Sequence, residues 1–168
     1  MDDVDRRADF TAYVVAREQA LARLAYLLTG DRHAAEDLLQ NTLAQVYRHW
    51  DRVRSVERPD AYVRRIMVNE SNSRWRHLLR QRETPVSHVL DVMAPAATTG
   101  LDRSEAIDLW RQVQTLPAQQ RAAVVLRYYE DLSEAQTAEI LGCTVGTVKS
   151  HTSRALSALR TKMSEATA

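Results

Sequence analysis

An all-α fold of two small helical domains joined by an extended linker is what this 168-residue sequence predicts, and three observations carry the prediction. Glycine and proline number only four each, so long stretches run without a helix breaker. Ala, Arg and Leu are the commonest residues, and no stretch alternates with period two for long enough to make a sheet. The run ETPVSHVLDVMAPAATTGLD, Glu83 to Asp102, holds two prolines, small residues and three acids but no Lys or Arg. About 20 residues of that composition are too many for a loop inside a compact domain. The expected division is therefore a domain at 1–82, a linker at 83–102 and a domain at 103–168. With 45% hydrophobic residues the chain can bury two small cores.

The first helix shows an apolar stripe through Phe10, Tyr13, Val14, Leu21, Leu24, Leu27 and Leu28, and Thr29-Gly30 ends it. Asp31 can cap a second helix striped by Ala35, Leu38, Leu39, Thr42, Leu43, Val46 and Trp50. After the charged connection DRVRSVERPD, Pro59 suits the start of a third helix, AYVRRIMVNESNSRWRHLLRQR. Its Asn69, Asn72, Ser73, Arg76 and Arg80 align as one polar strip.

Beyond the linker, Asp102 with Glu105 has the form of a capping box for a helix through Trp110 and Val113, and Pro117 opens the next one. Ser133 can cap a short helix to Leu141, Gly142 supplies a left-handed residue, and Thr144 can cap the helix after it. Two short helices across such a turn make a helix-turn-helix. In the second of them Val145, Val148, Thr152, Ala155, Leu156 and Leu159 share the packing face. The opposite side gathers Gly146, Thr147, Ser150, His151, Ser153, Arg154 and Ser157, hydroxyls and longer donors suited to phosphates and base edges.

Charge is uneven beneath a formal net of +1. Between 61 and 82 lie Arg64, Arg65, Arg74, Arg76, Arg80 and Arg82 against Glu70 alone, and between 143 and 163 lie Lys149, Arg154, Arg160 and Lys162 with no acid. Either run by itself suits a solvated helix face, but two in a nearly neutral chain point to an anionic polymer held at two places. An enzyme fares poorly: the five histidines and lone Cys143 show no metal-ligand spacing, and no phosphate loop, nucleophile elbow or zinc-protease motif is present. No catalytic residue, metal or cofactor is expected. A single cysteine, no signal-peptide core and no apolar run long enough to span a membrane give a cytoplasmic location as the expectation.

Two stretches carry a resemblance to the extracytoplasmic-function group of the bacterial sigma-70 family. LLTGDRHAAEDLLQNTLAQVYRHWDRV and AYVRRIMVNESNSRWRHLLR resemble the sigma-2 domain, and LPAQQRAAVVLRYYEDLSEAQTAEILGCTVGTVKSHTSRALSALR resembles sigma-4, in the right order across a linker. The resemblance implies a factor that binds core RNA polymerase and directs initiation at promoter DNA. It implies polymerase contacts at Asp37, Leu38, Gln40, Asn41 and Trp50. It implies that the separated −10 strand meets Arg64, Arg65, Asn69, Asn72, Ser73, Arg76 and Arg80. The −35 duplex would be read through Thr147, Ser150, His151 and Arg154, with Thr144 near the backbone and Lys149 on a phosphate. The linker would thread polymerase channels towards the RNA exit path. An anti-sigma protein is common among such factors, although no residue here identifies one. Three positions depart from the family pattern: Ser73 where Asp is frequent, His151 where Arg is common, and Asn41-Thr42 in place of an acidic-hydroxyl pair. A dimeric repressor would explain the chain after Asp102 but would leave the third helix and the DLLQ segment without a role.

Overall fold

The computed structural model describes residues 2–81 and 103–168. The first half holds α1 (Asp3–Thr29), α2 (Arg32–Arg48), α3 (Trp50–Ser55) and α4 (Pro59–Gln81). The second holds α5 (Arg103–Gln114), α6 (Ala118–Val124), a π-helical turn (Val125–Tyr129), α7 (Glu134–Leu141) and α8 (Val145–Thr167). Among the described residues there is no strand. The linker, and the Asp102 half of the expected capping box, lie outside them.

The helix ends follow their local chemistry. Gly30 closes α1 at φ 73°, its amide donating to the Tyr26 carbonyl, and the Asp31 carboxylate accepts from the Ala34 amide at 2.8 Å to open α2. Ser133 and Gln136 form a reciprocal capping box at α7, and Gly142, at φ 66°, ends that helix. Thr144 then accepts from the Thr147 amide at 3.1 Å to start α8. Two elements differ from expectation. The segment read as a charged connection contains α3, because Trp50 and Val53, three residues apart, turn one apolar edge inward and both are buried. The apolar run after Pro117 does not stay α-helical: its last turn widens into the π-helical turn, ending one residue before Glu130 leads into Asp131, which is left-handed at φ 52°.

Leu24, Leu27, Leu38, Val46, Val53, Val63 and Met67 form the core beneath α1, α2 and α4. Trp50 completes it. Its indole lies 5.3 Å from Phe10 and 5.2 Å from Tyr13 between ring centroids, and its Nε1 donates to Asp9 at 3.1 Å. Leu38 at 0% and Trp50 at 3% exposure offer no surface to a second protein. Both are core side chains of this half, Leu38 on α2 and Trp50 at the start of α3.

The two halves are packed together, and the same apolar cluster runs on from Leu27 and Leu28 to Trp110, Val113 and Leu126. The polar reason lies at the end of α1, where the Leu27 and Leu28 carbonyls have no partner within the helix. Gln114 Nε2 donates to Leu27 at 2.6 Å, and Arg121 Nη1 donates to Leu28 at 2.7 Å. Arg121 is 3% exposed and also donates to the Gln114 and Leu116 carbonyls, while its guanidinium stacks 4.7 Å from the Trp75 ring centre. Burial pulls its pKa down to about 10. A cation at the negative end of a helix dipole is favourably placed, and that partly offsets the desolvation.

Candidate nucleic-acid interface

Two polar strips stand out on this scaffold. On α4, Arg65, Asn69, Ser73 and Arg76 are exposed and Asn72 is half-buried beside them, while Val63, Met67 and Val68 face the core. At about 100° per residue those five side chains fall within one third or so of the helix circumference. The side chain of Arg80 lies outside the described residues, though its backbone continues the same helix. Arg64 and Arg74 leave the strip. Arg64 turns to Glu130, with Nε and Nη2 each 2.8 Å from one carboxylate oxygen, and Arg74 reaches Asp37 at 3.4 Å and the Ala34 carbonyl at 3.3 Å. The basic groove expected on this helix therefore shares its arginines with neighbouring elements.

The second strip is on α8. Val148, Ala155 and Leu159 are buried, which seats the helix against α6 and α7, although Val145 stays 39% exposed at its first turn. Ser150 and Arg154 are exposed, and Thr147 and His151 are half-buried between them. Thr144 and Thr147 share a hydroxyl hydrogen bond at 2.9 Å, which fixes both at the helix start. Lys149 lies round the other side, 3.7 Å from Glu134 on α7. Its ammonium is thereby set apart from the strip and paired with a carboxylate. Burial first, and then the Arg154 charge, lower the His151 pKa, so its ring is neutral at neutral pH and carries one donor and one acceptor.

On α2, Gln40 and Asn41 are exposed and Asp37 is half-buried beside Arg74, so these three share one solvent-facing strip. Among the described residues no cluster of His, Cys, Asp and Glu could hold a metal ion, and no helix is long and apolar enough to cross a membrane.

Three residues that matter to this arrangement are missed by the sequence patterns: Gln114, Arg121 and Glu130. Arg121 alone left a signal, as a base at the edge of the apolar run RAAVVL. The partners of the other two lie 87 and 66 positions away.

Comparisons agree with the geometry. Residues 13–81 match the family described as Sigma-70 region 2, and residues 106–159 match Sigma-70, region 4. The chain is 37% identical to the RNA polymerase sigma-E factor of Streptomyces avermitilis over 92% of its own length and 85% of the relative's. It is 35% identical to the ECF RNA polymerase sigma factor SigM of Mycobacterium tuberculosis over 80% of its length and 67% of that protein's. Among solved structures it resembles the sigma factor RpoE of Bartonella quintana, crystallised in complex with the anti-sigma factor NepR. The TM-score is 0.72 at 30% identity, covering 93% of this chain and 97% of that one.

Proposed function

The chain belongs to the sigma-70 family, in its extracytoplasmic-function group, and directs promoter-specific initiation by RNA polymerase; from that premise we propose how its residues divide the work. The observation that carries the proposal is the pair of exposed polar strips, one on α4 and one on α8, each backed by a buried apolar face. A separated strand needs a positive groove and donors for unstacked bases, which Arg65, Asn69, Asn72, Ser73, Arg76 and Arg80 supply for the −10 element. A major groove admits a single helix whose side chains reach base edges, the role assigned to Thr147, Ser150, His151 and Arg154 at the −35 element, with Thr144 and Lys149 on the backbone.

Asp37, Gln40 and Asn41 present the polymerase-docking edge of α2. The domain at 1–82 melts and holds, the domain at 103–168 anchors, and the intervening linker follows polymerase channels. The protein performs no catalysis of its own and works in the cytoplasm. An anti-sigma protein is its regulatory partner; support comes from the likeness, across both halves, to a sigma factor crystallised with one.

The test uses core polymerase and a promoter mapped from the protein's own transcripts. Asn72→Ala is expected to reduce permanganate reactivity of −10 thymines with −35 binding intact, and Arg154→Ala to reduce −35 dependence with opening intact. Loss of melting temperature in step with loss of activity, in either variant, would reassign that residue to structure.

A further inference from the structure

We infer that His151 reads the −35 duplex as a single uncharged donor, its Nε2–H directed to the N7 of a purine and its Nδ1 bare and turned into the protein. The base contact rests on the reading of α8 as the −35 helix; the tautomer does not. His151 is half-buried on α8, and of its two ring nitrogens only Nδ1 is closed off from solvent, with no hydrogen-bond partner. Buried N–H groups are almost always paired, whereas buried acceptors are more often left under-used, so a nitrogen in this position keeps a lone pair rather than a proton. In the neutral imidazole the one proton then sits on Nε2. Becoming a cation would put a second N–H in the sealed position. Burial and the Arg154 charge both oppose it, which agrees with the lowered pKa of the ring.

What such a ring can recognise differs from what its neighbour recognises. Arg154, one turn further along the strip, is exposed and carries a fork of donors that matches the paired O6 and N7 acceptors of guanine. His151 offers one donor and no outward acceptor. It can use neither that pair nor the N6 donor beside N7 on adenine, but only the acceptor that both purines place at the same point of the major groove, which is N7. A cytosine in that place presents a donor to a donor and is rejected. His151 therefore separates purine from cytosine on one strand and takes adenine and guanine alike, which gives the −35 element one position tolerant of either purine.

The experiment uses holoenzyme reconstituted from core polymerase and the full-length chain, on a promoter mapped from its own transcripts, with each −35 purine replaced in turn by its 7-deaza analogue. At one position the replacement should weaken wild-type binding about three- to tenfold, the range of one neutral hydrogen bond, and weaken His151→Ala binding by less than about 1.5-fold. Exchanging adenine and guanine there should change wild-type affinity less than about twofold. His151→Gln, which presents a donor and an acceptor together, should keep the 7-deaza loss and turn the tolerance into a preference for adenine. In the isotope-labelled free chain at about pH 8, long-range proton–nitrogen correlations should place the His151 proton on Nε2. A proton on Nδ1, or no purine whose 7-deaza loss depends on His151, would overturn the inference. If Arg154→Ala then still loses −35 dependence, the reading of α8 stands and only this role of His151 falls. If neither variant alters −35 dependence, the reading of α8 falls with it.

Discussion

Replacing Arg121 by methionine asks which of two opposed effects wins at the centre of the molecule. Burial lowers the arginine pKa to about 10, and at about 1.36 kcal/mol per unit the charged form carries a penalty of about 3 kcal/mol that methionine would not. Against this, Arg121→Met leaves the Leu28, Gln114 and Leu116 carbonyls without their donor. Hydrogen bonds from a charged group contribute about 1.5–3 kcal/mol each, so three outweigh the relieved desolvation by about 1.5–6 kcal/mol. The stack on Trp75 adds about 1 kcal/mol. For a chain of this size, at about 2–4 °C per kcal/mol, the expected fall in Tm is roughly 5–28 °C, measured by circular dichroism. Urea titration should report the same loss as a lower midpoint. A methionine variant as stable as wild type, or more so, would refute the reasoning, because desolvation would then outweigh the bonds, as it does in some buried ion pairs.

Other outcomes rest on single side chains. Arg154→Ala should weaken binding to a −35 duplex by about 1–3 kcal/mol, with Tm unchanged because the residue is exposed. For His151, whose folded pKa lies below its unfolded value of 6.5, the unfolded chain binds more protons in the window just below pH 6.5. Stability is therefore full above that pH and falls as pH drops towards the folded pKa, and His151→Gln should flatten this part of a Tm-against-pH profile. Trp50→Ala should cost about 3–5 kcal/mol of stability by urea titration, because it empties a site packed by Phe10 and Tyr13. Asn41→Ala should instead keep the wild-type midpoint and weaken core polymerase capture in a pull-down.

What could be read before folding is what is encoded within a few residues. The Asp31, Ser133 and Thr144 caps and the Gly30 and Gly142 terminators all satisfy backbone groups one to four positions away, and each stands where the local pattern puts it. The polar strip on α8 was legible for the same reason, since one helical period separates its exposed side from Val148, Ala155 and Leu159. The burial of Leu38 and Trp50 was not legible because an apolar stripe does not say whether its partner is α1 or another protein. The ion pair of Arg64 was not legible because its partner, Glu130, stands 66 positions away on the other half. Nothing local marks the π-helical turn that brings Glu130 into reach, and the short α3 is masked by its own charges.

The central claim is that this chain gives RNA polymerase its promoter specificity through two separate grips on DNA, and in vitro transcription tests it most directly. Core polymerase with the purified protein, on fragmented genomic template, should yield discrete transcripts whose start sites share two upstream elements. Altering the upstream element should be felt by changes at Thr147, Ser150, His151 and Arg154, and altering the downstream one by changes on α4. If the protein binds duplex unaided and adds no promoter-dependent transcript to core polymerase, the account is contradicted.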